Sequence, residues 1–95
     1  MASLAIVRSA ILPSLAAAGT LTSSQVSAQG CEDLWYQRNR IFKEAGYCFR
    51  TPRGTSAFGN AGCAYGDERD VPLSGRERDA VAAIRDAERR LGCRP

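Results

Sequence analysis

Four cysteines constrain this chain more than any other feature of its sequence. They are Cys31, Cys48, Cys63 and Cys93, and the chain has no other cysteine and no histidine. An even number of cysteines in a short exported chain predicts a disulfide framework. A zinc site is poorly supported, because no two cysteines have the close spacing of zinc ligands and no histidine completes a ligand set. We therefore predict two disulfides, no metal site and no cofactor.

The N-terminal segment differs in composition from the rest of the chain. Residues 1–28 contain one charged side chain, Arg8, and an apolar run from Ala10 to Leu21. This run suits the core of a signal peptide and is shorter than the ~20 apolar residues of a membrane-spanning helix. Short side chains before Gln29 place the cleavage after Ala28. We predict a periplasmic or secreted protein with no transmembrane segment after leader removal; the alternatives are a disordered or interfacial N-terminal tail and lipidation of Cys31.

The predicted mature domain, residues 29–95, is short. It has 67 residues, with 12 Arg and Lys against 10 Asp and Glu, a net charge of +2. A domain of this size buries too little apolar surface for comfortable stability and usually needs cross-links. Each disulfide would stabilise such a domain by roughly 3 kcal/mol in the chain-entropy model.

Two segments have helical patterns. The first covers residues 32–45, with Glu32 and Asp33 in its first turn, and Gly46 predicts its end. Its apolar stripe consists of Leu34, Trp35, Ile41, Phe42 and Ala45. The second covers residues 75–91, where Ser74 and Glu77 form a capping box and Gly92 follows the last turn. Its apolar face consists of Ala80, Val81, Ile84, Ala87 and Leu91.

The segment between the helices, residues 49–72, shows no clean period. It contains Gly54, Gly59, Gly62 and Gly66, and we expect one helical turn at about residues 56–60. The sequence therefore predicts a mainly α fold, in which two helices are joined by a long Gly-rich loop and stapled by two disulfides.

Helix geometry limits the disulfide pairing. A helix over residues 32–45 separates Cys31 from Cys48 by about 21 Å, whereas a bridge needs Cα atoms within about 7 Å. An antiparallel helix pair favours Cys31 with Cys93 and Cys48 with Cys63. A parallel pair favours Cys31 with Cys63 and Cys48 with Cys93. We prefer the antiparallel arrangement, because helices of similar length joined by a turning loop usually return.

The chain lacks the usual catalytic side chains. The absence of histidine removes the commonest general base and every Ser-His or Cys-His dyad. Carboxylates remain, notably Glu44, Asp67, Glu68 and Asp70, but a charge run such as residues 67–70 is more typical of a solvated turn, and it lacks the ligand spacing of a calcium loop. We predict that the protein is not an enzyme; a hydrolase would need two carboxylates that converge in a cleft.

Arginines and aromatic residues occur close together in the first helix and after it. They are Arg38, Arg40, Arg50 and Arg53, with Trp35, Tyr36 and Tyr47. A net charge of +2 and an exported location disfavour nucleic acid as a partner, whereas Arg side chains suit anionic envelope components. The plainer interpretation is that Trp35 belongs to the core and the arginines to the surface. Arg38 points towards the apolar stripe, and we expect it to donate to carbonyls of the linker.

Residues 38–49 resemble the YARHG domain, an exported bacterial module with the motif Arg-Asn-x-Ile-Tyr-Ala-Arg-His-Gly-Tyr-x-Phe. The matching residues are Arg38, Asn39, Ile41, Gly46, Tyr47 and Phe49, and Phe42 stands in place of Tyr. Lys43, Glu44 and Ala45 replace Ala, Arg and His, so no role of that Arg and His carries over. The resemblance implies an extracellular or periplasmic location and association with the cell envelope.

Together these patterns predict a non-enzymatic periplasmic or secreted module that binds a cell-envelope component, such as peptidoglycan, or a protein partner. The alternative is a small secreted effector or enzyme inhibitor that acts through residues 50–72. The residues predicted to form a binding or structural motif are Trp35, Arg38, Asn39, Gly46, Tyr47 and Phe49.

Overall fold

The computed structural model describes residues 22–94 as a mainly helical domain. Its elements are α1 (Ser23–Glu44), α2 (Pro52–Phe58), a 3-10 turn (Glu68–Asp70) and α3 (Gly75–Leu91). Within that range there is no strand, and no helix is long and apolar enough to cross a membrane. Residues 1–21 of the predicted leader, including Arg8 and the apolar run, lie outside the described residues.

The first helix begins earlier than predicted. α1 starts at Ser23 rather than Glu32, so the two carboxylates expected in the first turn lie further along the helix, on its exposed side. The prediction was wrong because nothing between these positions breaks a helix except Gly30, which costs about 1 kcal/mol there. Gly30 instead gives close packing: a Cβ at this position would lie 3.1 Å from Cδ1 of Leu91 in α3.

The end of α1 follows the predicted pattern. The helix ends at Glu44, and Gly46 adopts a φ of +99°, which is accessible to glycine and rarely to other residues. The amide of Tyr47 donates to the carbonyl of Phe42 at 3.0 Å, and the amide of Gly46 donates to Lys43 at 3.1 Å. These two bonds make a Schellman motif. The Tyr47 ring also folds back edge-on to Phe42, with 5.9 Å between centroids.

The third helix has both of its predicted caps. The Ser74 hydroxyl accepts a bond from the amide of Glu77 at 3.1 Å, and the Glu77 carboxylate accepts one from the amide of Ser74 at 2.8 Å. At the other end Gly92 has a φ of +72°, and the amide of Cys93 donates to the carbonyl of Glu88 at 2.9 Å.

The linker is more ordered than the sequence predicts. The expected turn at residues 56–60 is instead α2, a seven-residue helix that starts at Pro52. Thr51 caps it by accepting the amide of Gly54 at 3.0 Å, and Pro52 occupies the first turn, where its missing N–H costs nothing. Gly54 lets α2 lie directly on Phe49, because a Cβ there would come within 2.6 Å of the Phe49 ring. The prediction of a mainly helical fold is therefore confirmed, but the segment predicted as a loop contains a third helix.

Hydrogen bonds tie the linker to the end of α1. The amide of Cys48 donates to Tyr65 at 2.7 Å, and the amide of Ala64 donates to Gly46 at 2.8 Å. Tyr47 and Tyr65 form an isolated parallel β-bridge. The side chain of Asn60 pairs with both backbone groups of Phe49, accepting its N–H at 2.6 Å and donating to its C=O at 2.9 Å.

Two disulfides and a small core hold the domain together. The bridges join Cys31 to Cys93 and Cys48 to Cys63, with Cα–Cα distances of 5.5 and 5.1 Å. The first joins the N-terminal half of α1 to the end of α3, so the two helices are antiparallel, and this is the pairing that the antiparallel arrangement favours. The core consists of Phe42, Val71 and Val81, with Ile41, Ala45, Tyr47, Tyr65 and Leu73 packed against it.

Candidate binding site: an arginine-lined groove

Arg38 lies at the centre of the helix pair. Its guanidinium donates to both oxygens of the Glu88 carboxylate, with Nε–Oε1 at 2.7 Å and Nη2–Oε2 at 3.1 Å. Only 11% and 10% of the two side chains are exposed. The expectation that Arg38 donates to linker carbonyls is wrong, because the carboxylate on α3 takes its donors and a charge-assisted bidentate pair is the stronger interaction.

Trp35 precedes Arg38 by about one turn of α1, and the guanidinium group of Arg53 packs on the face of its ring. The guanidinium carbon of Arg53 is 3.9 Å from the Trp35 ring centroid, a cation–π contact. Arg53 also donates to Glu32 at 2.5 Å. Trp35 is half-buried rather than a core residue, while Tyr36 is 48% exposed and packs on Phe58.

The other predicted motif residues are chiefly structural. Asn39 is 6% exposed and its side-chain amide donates to the carbonyl of Trp35, one turn earlier, at 2.9 Å. Phe49 is also 6% exposed and stacks on Phe58, with ring centroids 5.1 Å apart. Gly46 ends α1, and a Cβ there would lie 3.3 Å from the ring of Tyr65.

The structure brings five of the six motif residues into one cleft, which we name the aromatic cleft. It has a volume of about 350 Å³. It is lined by Trp35, Arg38, Asn39, Tyr47, Phe49, Arg50, Thr51, Arg53 and Glu68. Gly46 does not line it, and neither do Tyr36 and Arg40 of the predicted patch. The predicted grouping of arginines with aromatic residues is therefore present only in part.

A second cleft adjoins the first, and we name it the arginine cleft. It has a volume of about 520 Å³. Its lining residues are Arg38, Glu68, Arg85, Glu88, Arg89, Cys93 and Arg94. Arg38 and Glu68 line both clefts, so the two clefts adjoin at these side chains. We call the pair together the arginine groove.

The groove concentrates positive charge. Six arginines and two glutamates line it, a net charge of +4, whereas the whole predicted mature domain has +2. The rest of that domain carries −2, and two of its carboxylates, Glu32 and Asp86, pair with groove arginines, so the uncompensated excess at the groove is +2. A concave surface with an excess of one sign attracts ligands of the other sign and raises their local concentration.

Two of the arginines in the groove have no ion pair with any residue in the described part of the chain. Four are paired: Arg38 with Glu88, Arg53 with Glu32, Arg85 with Glu68, and Arg89 with Asp86. The two without such a partner are Arg50, in the aromatic cleft, and Arg94, in the arginine cleft; both are exposed. Each cleft thus contains one arginine outside any ion pair, and the charge of Arg50 acts at longer range on Asp67, where it helps to lower the pKa of that carboxyl.

The carboxylates that the sequence singled out are separated in the structure. Glu44 pairs with Arg40 on the exposed side of α1, and Asp70 lies in the 3-10 turn. Asp67 caps that turn and is held by Arg69, whose side-chain and backbone hydrogen bonds lower the pKa of Asp67 from 3.8 to about 2. Only Glu68 reaches the groove. Across residues 22–94, no three of these acidic or cysteine side chains come together as a metal site.

Sequence reasoning missed the α3 side of the groove, although one signal was present. Glu88 follows Val81 by seven residues and Ile84 by four, so it lies on the apolar face of its helix. Arg38 lies on the apolar side of α1. Opposite charges on two facing apolar stripes predict a buried ion pair, and such a pair would have placed Arg85 and Arg89 beside Arg38.

The fold and the groove define the class of this protein: a small, mainly helical domain held by two disulfides, which are compatible with an extracellular location. The model of the YARHG domain family matches residues 9–89. Because this range covers most of the chain, the protein belongs to the YARHG domain family, as the motif over residues 38–49 indicated. YARHG domains are small domains of the extracellular type and are not known as catalytic domains. No curated protein and no solved structure matches the chain.

Proposed function

We propose that this protein is a non-enzymatic periplasmic or secreted module that binds an anionic component of the cell envelope through the arginine groove. The observation that carries the proposal is the excess of positive charge at the groove: four of its six arginines are ion-paired, and Arg50 and Arg94 leave an uncompensated charge of +2. Arg50 and Arg94 supply open guanidinium groups, whose planar donors suit carboxylate and phosphate oxygens.

The chemistry of the groove gives less support to catalysis. Glu68 and Glu88 both line the arginine cleft, which is the arrangement that an acid-dependent hydrolase needs. Each is engaged by an arginine, however, Glu68 by Arg85 at 2.9 Å and Glu88 by Arg38 at 2.7 Å. The bidentate pair with Arg38 occupies both oxygens of Glu88, so Glu68 has no second open carboxylate beside it in the cleft.

The effector or inhibitor alternative also has less support. An inhibitor loop needs an exposed segment that a protease can accept, whereas residues 50–72 contain α2, the 3-10 turn and one half of a disulfide. Asn60 and Tyr65 bond this segment to the chain that follows α1. We expect limited proteolysis to spare it.

The test is retention of the purified protein by sedimented peptidoglycan and by membrane fractions at low salt. We expect retention that falls as salt rises, because added ions screen the arginines. The informative variant is R50Q/R94Q, which removes the open arginines from the groove. Its matched control is R40Q/R76Q, which removes the same charge from arginines that do not line the groove.

Loss of retention in R50Q/R94Q with normal retention of R40Q/R76Q would support the proposal. Absence of retention of the unmodified protein at low salt, or equal losses in both variants, would contradict it. Intact mass of the same material reports whether residues 1–28 have been removed and whether the four thiols are oxidised.

A further inference from the structure

Glu68 occupies an unusual place for a carboxylate. It is the first residue of the 3-10 turn, and its side chain lines both clefts of the arginine groove. It also lines a third cleft of about 250 Å³, beside Arg69, Arg78 and Arg85. The Glu68 carboxylate therefore lies at the junction of three clefts, each of which has an excess of arginines.

The ion pair that holds Glu68 in place is weaker than the neighbouring ion pair between Arg38 and Glu88. Its partner is Arg85, at 2.9 Å, and 38% of the Glu68 side chain and 43% of the Arg85 side chain are exposed. Exposed ion pairs contribute little to stability. The pair of Arg38 with Glu88 is bidentate and about 10% exposed, so it is far harder to open. An entering anion would displace Glu68 and leave Glu88 where it is.

The positions of the open arginines define the shape of the ligand. Arg50 belongs to the aromatic cleft and Arg94 to the arginine cleft, and the two clefts share the side chains of Arg38 and Glu68. A single small anion can occupy one cleft only. A ligand that neutralises both open arginines must run past Glu68, and so it must carry several anionic groups along one chain.

The lining of the aromatic cleft indicates which class of polyanionic ligand fits the groove. Trp35, Tyr47 and Phe49 give it apolar walls beside Arg50 and Arg53. Alternating apolar and anionic surface is what a polymer of uronic acids presents, since each sugar ring has an apolar face and a carboxylate. Polyphosphate offers anionic groups and no apolar face.

From this arrangement, and resting on the proposed function above, we infer that the ligand is a linear acidic polysaccharide that spans both clefts. We infer also that Glu68 is an internal competitor, standing where a carboxylate of that polymer binds. Removal of the Glu68 charge should therefore tighten binding, whereas loss of a merely structural contact would weaken it or leave it unchanged.

The experiment uses the emission of Trp35, the one tryptophan of the chain, which lies in the aromatic cleft. The purified protein is titrated at low salt with polygalacturonate, with galacturonate monomer and with polyphosphate. We expect a saturable change with polygalacturonate, and binding at least tenfold weaker, per carboxylate, for the monomer. Polyphosphate should bind less tightly than polygalacturonate at equal charge.

Two variants give the decisive comparison. E68Q should bind polygalacturonate up to about fivefold more tightly, the ratio that corresponds to an exposed ion pair of ~1 kcal/mol. E44Q removes the same charge from a glutamate outside the groove and should leave the affinity unchanged. Equal or weaker binding by E68Q, or the same gain in E44Q, would overturn the inference.

The remaining outcomes separate this inference from the function on which it rests. If the protein is retained by envelope fractions in an Arg50- and Arg94-dependent way and no polyuronate binds, the polysaccharide is the wrong ligand and the proposed function stands. Preference for polyphosphate or for the monomer overturns the ligand class in the same way. If retention itself is absent, the proposed function fails first.

Discussion

The two ends of the α1–α3 pair are held together by different forces. At one end, which we call the core end, Phe42, Val71 and Val81 are buried, and the backbone around the Cys48–Cys63 bridge is hydrogen-bonded to the end of α1. At the other, the bridge end, the helices meet through the Cys31–Cys93 disulfide and the Arg38–Glu88 pair, and Leu91 remains 43% exposed.

This difference shows why the arginine cleft lies at the bridge end. At the core end the apolar side chains of Phe42, Val71 and Val81 pack together and form the wall of a cleft of only about 250 Å³. The bridge end is joined by a covalent bond and by charged side chains, which leave a cleft of about 520 Å³ with excess cations beside the helices. The features that replace a core at this end are therefore the same ones that form the arginine cleft.

The largest expected effect comes from removing the disulfides one at a time. C31S/C93S should cost ~4 kcal/mol and C48S/C63S ~3 kcal/mol in the chain-entropy model, since the bridges span 62 and 15 residues. In C48S/C63S the backbone hydrogen bonds of the core end remain, and they should widen the difference in stability between the two variants. Melting temperature and amide exchange along α1 measure it, and a greater loss in C48S/C63S would reverse the comparison.

The ion pair at the bridge end should have the next largest effect. R38M leaves the Glu88 carboxylate buried without a partner, which should lower the free energy of unfolding by about 3 kcal/mol. R38M/E88L removes both charges and should recover much of that loss. Urea titration of the single and double variants gives the coupling. Additive losses would show that the two side chains do not depend on each other.

A smaller effect is expected from the cap of α3, at the core end. S74A removes the acceptor for the amide of Glu77 and should cost ~1 kcal/mol. S56A, which removes an exposed hydroxyl within α2, serves as the control. Thermal unfolding compares them. Equal melting temperatures for the two variants would mean that the capping box is not needed once the core end is packed.

The smallest effect concerns pH and the 3-10 turn between the two ends. Because Arg69 lowers the pKa of Asp67 to about 2, this carboxylate stabilises the fold above its unfolded value near 3.8 and loses that contribution as pH falls towards 2. Carbon-detected NMR titration should find the low midpoint. R69A should raise it only partly, because the Arg69 backbone amide still donates to Asp67; an unchanged midpoint would contradict this account.

The parts of the fold that the sequence predicted are the ones that local chemistry determines. Gly46, Gly92 and the Ser74–Glu77 box each act within one turn of their own helix, so their patterns can be read without knowing the fold. α2 was not predicted, because seven residues are too few for a helical period of apolar side chains to be recognised among the surrounding glycines. The N-cap residue Thr51 and the first-turn Pro52 were the available signals for its start.

The candidate site was less predictable, because its residues come from distant parts of the chain. Trp35, Arg38 and Arg50 are near one another in sequence, and their grouping was foreseen. Glu68, Arg85 and Arg94 join them only after α1 and α3 pack antiparallel and the 3-10 turn is placed between them. No local sequence pattern predicts that arrangement. The nearest signal is the pair of charged residues, Arg38 and Glu88, on the apolar stripes of the two helices.

The pairing of Asn60 with Phe49 has a consequence for the solubility of the protein. Unpaired backbone N–H and C=O groups are ordinarily a template to which a second polypeptide can add, and proteins shield them. Here one amide side chain occupies both backbone groups of Phe49, as a neighbouring strand would. At this residue no backbone group is left for intermolecular β-pairing.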